Sequence, residues 1–329
     1  MKALVTGATG FIGGNLVREL LECGHRVRAL VRERSDRRNL AGLDVDEVVG
    51  DLRDPVSLQR ALDGCEVLFH VAAAYTLWTP DPKLVYETNV AGTRNLLAAA
   101  LAKGIERVVY TSTESSIGIR RRGDLGTEES TADFHDLPGA YKKSKGMAEK
   151  VALEMHREGL PVVVVNPTTP IGPGDVKPTP TGQIIVDFLN GRMPAYVDAG
   201  LNLVDVGDVV KGHILALERG RVGERYILGN RNITFREILG LLGQITGRRA
   251  PSLRVPLWMA LLAAYVDEMI VSRAMGKPPR VPLAGVRAAR KYRYFNCSKS
   301  IRELGLPQTP IENALERAVR WFRQNGYAR

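Results

Sequence analysis

Tyr141-Lys142-Lys143-Ser144-Lys145 sets a phenol and an ammonium four residues apart. On a helix that spacing puts both on one face, one turn apart. A phenol titrates near about 10 in water, so it needs a neighbouring positive charge to exchange a proton at neutral pH. Lys145 can supply that charge. A third group is needed to orient the oxygen that exchanges the proton. The run RVVYTSTESS ends an apolar stretch in hydroxyls, and side chains at the carboxyl end of a parallel strand face the crevice where ligands bind. Thr113 is the candidate, with Ser115 as the fallback. Each signal has a plainer alternative: tyrosine and lysine often share a helix surface, and Thr113 to Ser116 could simply begin a polar loop. The context decides between them.

That context begins at the N-terminus, MKALVTGATGFIG. A short apolar run enters a turn at Thr6-Gly7, and Gly7, Gly10 and Gly13 follow at three-residue spacing before a helical pattern starts at Leu16. Gly7 permits the tight turn. Gly10 lets a phosphate approach the main chain, and Gly13 lets the helix lie close to the strand. Free N–H groups at the helix start then face a pyrophosphate. Thr9, Phe11 and Ile12 complete the cofactor-contacting turn. A glycine-rich turn can cap any helix; strand before and helix after make this one a dinucleotide site. A nicotinamide cation beside Tyr141 and Lys145 would further favour the phenolate, and Lys145 could also hold the nicotinamide ribose hydroxyls.

Where an acid would bind a ribose 2′-hydroxyl, about 20 residues past the glycines, stands Arg32, with Arg34, Arg37 and Arg38 close behind. A guanidinium suits a 2′-phosphate, so NADP(H) is favoured over NAD(H). The alternative is that Arg32 stacks on adenine while the other arginines face solvent, and Glu33 opposes the phosphate reading. Asp51-Leu52 could hold and line the adenine, or Asp51 could cap the helix at Pro55. Ala72, Ala73 and Ala74 leave room for ribose-phosphate, or form a small-residue turn.

The elements that must position these groups alternate. Strands read at 2–6, 26–31, 45–49, 67–71, 107–112 and 161–166, with helices at 13–23, 55–63, 83–103 and 139–158. This predicts an α/β doubly wound parallel sheet, a Rossmann fold. Beyond Asn166 prolines and glycines predict a long ordered loop. Helices follow at 183–190, 209–218, 234–247, 256–274 and 310–326, with a returning strand at 202–206 and another strand at 225–228. The domain expectation is 1–166, rejoined by 201–230, for the dinucleotide, and 167–200 with 231–329 as a smaller substrate lobe.

The chain is 44% hydrophobic and 25% charged, which excludes a disordered segment and predicts a packed core. Cys23, Cys65 and Cys297 have no metal or disulfide spacing, so no metal is expected. With no signal-peptide pattern and no membrane-length apolar run, a cytoplasmic location is expected. The net charge of +10 is gathered at 32–38, 120–122 and 287–293. It reads as a solvated basic surface, attraction to an anionic ligand, or contact with an anionic membrane. No nucleic-acid module is present.

The ordered set TGATGFIG, Asp51-Leu52, HVAA, Asn89-Val90-Ala91-Gly92-Thr93, YTST, Tyr141/Lys145 and Asn166-Pro167 resembles the extended short-chain dehydrogenase/reductases. Within them the chain looks like the dihydroflavonol 4-reductase-like branch, and is similar to the bacterial hopanoid-associated sugar epimerases. The likeness covers nearly the whole chain and is specific for the superfamily, less so for substrate. It implies a Thr113-Tyr141-Lys145 triad in which threonine replaces the usual serine. It also implies a structural Asn89, a cofactor-lining Pro167, and a homodimer built on the helices 83–103 and 139–158. Glu114 is larger and more acidic than the family pattern, and both orientations, toward substrate or away, stay open.

Two functions follow. One is an NADP-dependent oxidoreductase acting on a ketone, aldehyde or secondary alcohol. The other is an epimerase that returns the same hydride to the opposite face of a bound sugar intermediate. A cofactor-binding sensor without catalysis is a third reading, opposed by the intact Tyr141/Lys145 pair. A sugar diphosphate would call on Arg192, Arg254, Arg280 or Arg290. An apolar small-molecule substrate would call on Leu77, Trp78, Met193, Tyr196 and the Trp258 helix. Trp258 and its neighbours are expected in the core, with membrane contact as the alternative.

Overall fold

Seven short apolar runs line up as one parallel sheet. The strands are β1 (Lys2–Thr6), β2 (Arg26–Val31), β3 (Asp46–Val49), β4 (Val67–His70), β5 (Arg107–Thr111), β6 (Val162–Pro167) and, later in the chain, β10 (Arg225–Leu228). They run β3-β2-β1-β4-β5-β6-β10, all parallel. β4, β5 and β6 are buried along nearly their whole length because helices cover both faces. The order reverses between β1 and β4, which opens a crevice at their carboxyl ends. The computed structural model describes residues 1–329 except 77, 120–122, 134–136, 275–278, 280–282, 291 and 329, and leaves the side chains of 272–274 undescribed. Leu77, Arg120 to Arg122 and Arg280 therefore lie outside the described residues.

On one face α1 (Phe11–Glu22) packs beside α7 (Val206–Arg219). On the other lie α2 (Pro55–Leu62), α3 (Pro82–Tyr86), α4 (Gly92–Ala102) and α5 (Gly139–Arg157). α3 and α4 are the single helix expected at 83–103, interrupted by a π-turn at Glu87–Ala91. Such turns gather at functional sites, and this one carries Asn89. Asp54, not Asp51, caps α2: its carboxylate accepts the Val56 N–H at 3.1 Å.

The proline-rich stretch, expected as an ordered loop leading to a helix at 183–190, carries two short strands besides that helix. It holds β7 (Thr169–Ile171), α6 (Pro180–Leu189) and β8 (Ala195–Val197). β9 (Gly200–Asp205) does not return to the central sheet. It pairs with β7 and with β11 (Arg231–Thr234), while β10 takes the edge beside β6. Asn202 shows why: it is fully buried, and its amide is satisfied there by Thr168, Asn230 and Asn232. Of residues 201–230, α7 and β10 rejoin the larger body, and Leu304 and Leu306 join its core from later in the chain.

α8 (Phe235–Thr246) starts at the expected capping box of Thr234 and Glu237 and stops at Gly247, φ +70°. β12 (Leu253–Val255) pairs with β8 and leads into α9 (Leu257–Asp267), whose winding widens over Glu268–Ala274. α10 (Leu283–Ala288), α11 (Ser298–Leu304) and α12 (Ile311–Gln324) complete the chain. α12 buries Ile311, Ala314, Leu315, Ala318, Val319 and Phe322, a single apolar stripe that seals the smaller lobe. Among the described residues no helix is long and apolar enough to cross a membrane.

Candidate active site

The glycine turn has the shape its spacing requires. Gly7 sits at φ +71°, and a Cβ there would stand 2.7 Å from the Ala72 nitrogen. A Cβ on Gly13 would fall 2.1 Å from the Gly7 carbonyl oxygen, so the helix lies directly on the turn. Gly10 is exposed and meets only that same carbonyl, at 3.2 Å. No side chain caps α1 and no acid stands in its first turn. The helix start, with Thr9, Phe11 and Ile12 around it, thus has the open backbone and positive dipole end that a pyrophosphate needs. Buried His70 braces the turn from behind, bonded to Thr6 at 2.8 Å and to Thr93 at 3.0 Å. Burial and the nearby Lys145 charge push its imidazole down to about 3, so it stays neutral.

Around this turn the other cofactor candidates divide. Arg32 is exposed at the end of β2, and among the described residues its guanidinium makes no hydrogen bond or ion pair. Arg37 pairs with Glu47 and Arg38 with Asp36, both at 2.8 Å. Asp51 is held by Arg53 at 2.9 Å, and that hydrogen bond keeps its carboxyl below the usual range against a smaller effect of burial. Leu52 is buried against Gly92 in the core. Ala72 and Ala74 fix the backbone beside the crevice: the Ala72 N–H donates to Thr6 Oγ1 at 3.2 Å and the Ala74 N–H to Asn89 Oδ1 at 2.7 Å. Ala73 lies half-buried between them, and Pro167 is buried at the end of β6.

Thr113 follows β5, and Tyr141 and Lys145 lie one turn apart on α5. Lys145 is buried; its ammonium donates to the Thr111 carbonyl at 2.6 Å and the Tyr110 hydroxyl at 3.0 Å. Burial pulls it down to about 7, opposed by Glu149 one turn further on. The Tyr141 ring meets the Tyr75 ring edge-on at 4.6 Å. Burial, then the neighbouring Tyr75, Glu114 and Tyr110, hold its phenol well above 10.

Glu114 turns inward. Its carboxylate accepts the hydroxyls of Thr113 at 2.6 Å and Ser115 at 2.9 Å, and Arg293 at 3.1 Å. Burial would raise its pKa, but the Arg293 and Lys142 charges and the two hydroxyls outweigh that and hold it low. Burial in turn draws Lys142 down to about 8. Arg293 reaches this cluster from beyond α10, 179 residues from Glu114, and no local signal could have found it.

The substrate candidates scatter. Trp78 is half-buried, tied through its backbone to Thr76. Met193 lines a small cavity of 180 Å³ with Phe188, Gly191, Arg248, Arg249 and Pro251. Tyr196 packs on the core of the smaller lobe. Arg254 pairs with Asp198 at 2.9 Å, Arg192 reaches Asp187 at 4.0 Å, and Arg290 is exposed. Trp258 is not in the core: most of α9 is bare, and only Ala264 is buried. Among the described residues no cluster of His, Cys, Asp or Glu could hold a metal.

The chain matches the description "NAD dependent epimerase/dehydratase family" over residues 3–229. It is 50% identical over 329 residues to a putative dihydroflavonol 4-reductase of Synechocystis, covering 99% of this chain and 95% of that one. It is 38% identical to sterol demethylase protein B of Methylococcus capsulatus, over 99% of both chains. The crystal structure of DesIV, a dTDP-glucose 4,6-dehydratase of Streptomyces venezuelae with NAD and TYD bound, superposes with a TM-score of 0.79 at 29% identity, covering 100% of this chain and 99% of that one. The protein therefore belongs to the NAD-dependent epimerase/dehydratase family, the nicotinamide-dependent enzymes of the extended short-chain dehydrogenase/reductase type.

Proposed function

We propose that this enzyme is a net oxidoreductase that interconverts a carbonyl and a secondary alcohol, with NADP(H) as its cofactor. The reading is supported by the links to the carboxyl end of β5: Lys145 Nζ donates to the Thr111 carbonyl at 2.6 Å, and Glu114, which accepts the Thr113 hydroxyl at 2.6 Å, acts on the Tyr141 phenol. The bound nicotinamide supplies or accepts the hydride. Tyr141 holds the proton that the substrate oxygen gains or loses. Lys145, released from Tyr110 and Thr111, binds ribose hydroxyls and brings positive charge toward the phenol. Thr113 orients the substrate oxygen. An ionised Glu114 can only accept, so the Thr113 hydroxyl proton is committed to it; one Thr113 lone pair accepts the Ser115 N–H at 3.3 Å, and the other is left for the cleft. That polarity suits a substrate hydroxyl; a ketone requires the Thr113 hydroxyl to turn away from Glu114. Arg32 is a free cation for a 2′-phosphate, and the relatives' names, a reductase and a sterol demethylase component, support net redox chemistry on an apolar substrate. The smaller lobe, 167–200 with 231–329, would receive that substrate. Leu84 and Met147 are exposed apolar groups on the helices expected to form a dimer.

A second reading is an epimerase acting on a nucleotide sugar, such as the hopanoid-associated group. The likeness to DesIV and the two arginines beside Met193 support it. Denaturing release of the purified protein's dinucleotide, followed by titration with NADPH and NADH, separates the two. An empty protein that binds NADPH reversibly, and more tightly than NADH, is expected. Stoichiometric, retained dinucleotide would replace this reading with the epimerase cycle. Tyr141→Phe should abolish turnover and keep NADPH binding; retained turnover would remove Tyr141 from the mechanism.

A further inference from the structure

We infer that the bare face of α9 docks on an anionic lipid surface. Trp258, Leu262, Val266 and Ile270 recur every four residues, so they form one stripe about 18 Å long. They are not scattered surface residues: Trp258 is 66%, Leu262 58% and Ile270 56% exposed, and Tyr265 beside them is 53% exposed. With Met259 this stripe forms an open apolar groove of 650 Å³. The opposite side of the helix packs on α10. A helix apolar on every side belongs in a core or against another apolar phase, and this one has a core on one side only. Trp and Tyr suit the boundary between lipid tails and headgroups.

The surrounding charge selects the occupant. Exposed arginines stand on either side of the face in the chain: Arg248, Arg249 and Arg254 before α9, Arg287 on α10 and Arg290 just after it. Arg254 is paired with Asp198, and the acid Glu268 is engaged by the Leu283 N–H at 3.1 Å. Asp267 lines the groove as well, so three acids, Asp198, Asp267 and Glu268, stand against the five arginines, and the surroundings stay net cationic. A second copy of the chain docking here about a two-fold axis would set this charge against itself. Anionic headgroups complement it. α10, on the other side of α9, adjoins the catalytic helix: a Cβ on Gly139, two residues before Tyr141, would lie 3.4 Å from the Ala284 Cβ of α10.

The test is flotation of the full chain with vesicles of phosphatidylcholine, with and without phosphatidylglycerol. The expected result is co-flotation with phosphatidylglycerol vesicles at low salt, and at least tenfold less with phosphatidylcholine alone. Leu262→Glu with Ile270→Glu should lower the bound fraction at least tenfold while NADPH titrates unchanged. Arg287→Glu with Arg290→Glu, both at exposed positions, should remove the preference for phosphatidylglycerol without disturbing the apolar face. Absence of flotation with phosphatidylglycerol vesicles overturns the inference, as does equal flotation of wild type and the Leu262/Ile270 variant. A dimer in light scattering that this variant converts to monomer, with no flotation of either, also overturns it and gives the face to a second copy.

Discussion

The Asn89 side-chain amide donates to Ser144 Oγ at 2.9 Å while its oxygen accepts the Ala74 N–H at 2.7 Å. One buried side chain thereby joins the π-turn, the alanine segment beside the crevice and the residue preceding Lys145. Ser144 passes the link on, donating to the Tyr141 carbonyl at 2.8 Å. Asn89→Ala leaves the Ala74 N–H without its partner and should cost about 1–3 kcal/mol. Urea unfolding measures the loss, and an unchanged midpoint would show that water replaces the amide at no cost.

Glu114 and Arg293 should prove strongly coupled. Each side chain is only 14% exposed, and the Arg293 Nε has no hydrogen-bond partner, so the pair rests on one contact. Removing Arg293 leaves a buried carboxylate with the Thr113 and Ser115 hydroxyls and only the Lys142 charge to offset it. Arg293→Met should therefore destabilise more than Arg293→Met combined with Glu114→Gln, with a coupling of about 1 kcal/mol or more in a double-mutant cycle. Additive losses would show that solvent already screens the pair.

What the sequence made legible follows from how locally each feature is determined. The glycine turn, the spacing of Tyr141 to Lys145, and the Thr234/Glu237 box are set within a few residues, and each takes the predicted form. The strand at Gly200–Asp205 was readable as a strand, but its partner depended on which edge β10 had taken. Arg293 entered the site through a long-range contact. Trp258 stands outside the core because an apolar helix pattern reports hydrophobicity, not whether a neighbour is there to cover it.

Cofactor binding should be coupled to the protonation of Lys145. Burial holds its ammonium at about 7, far below the ordinary 10.5. A cofactor held by the ammonium form raises that value on binding, so complex formation takes up a proton above pH 7. The sign is fixed: the Lys145 contribution to NADPH affinity is complete below pH 7 and falls up to about tenfold per pH unit above it, until the raised value of the complex is reached. Fluorescence titrations at several pH values should show this fall in the wild type and not in Lys145→Met. Parallel profiles would show that Lys145 does not meet the cofactor.

Arg32 should decide between the two nicotinamide dinucleotides. It stands exposed where β2 ends, and its charge reaches Asp51 at the end of the neighbouring β3. Asp51 is already neutralised by Arg53, so Arg32 is left as the cation available to a 2′-phosphate. Replacing it removes a charge-assisted hydrogen bond of about 1.5–3 kcal/mol, and an acid in its place adds repulsion. Arg32→Asp should therefore weaken NADPH by about tenfold to a hundredfold, with NADH unchanged or improved. Arg34→Ala, also exposed but two residues further along, should weaken NADPH far less. If Arg32→Asp weakens both dinucleotides equally, the guanidinium holds the adenine face common to them, and the selectivity lies elsewhere on this edge.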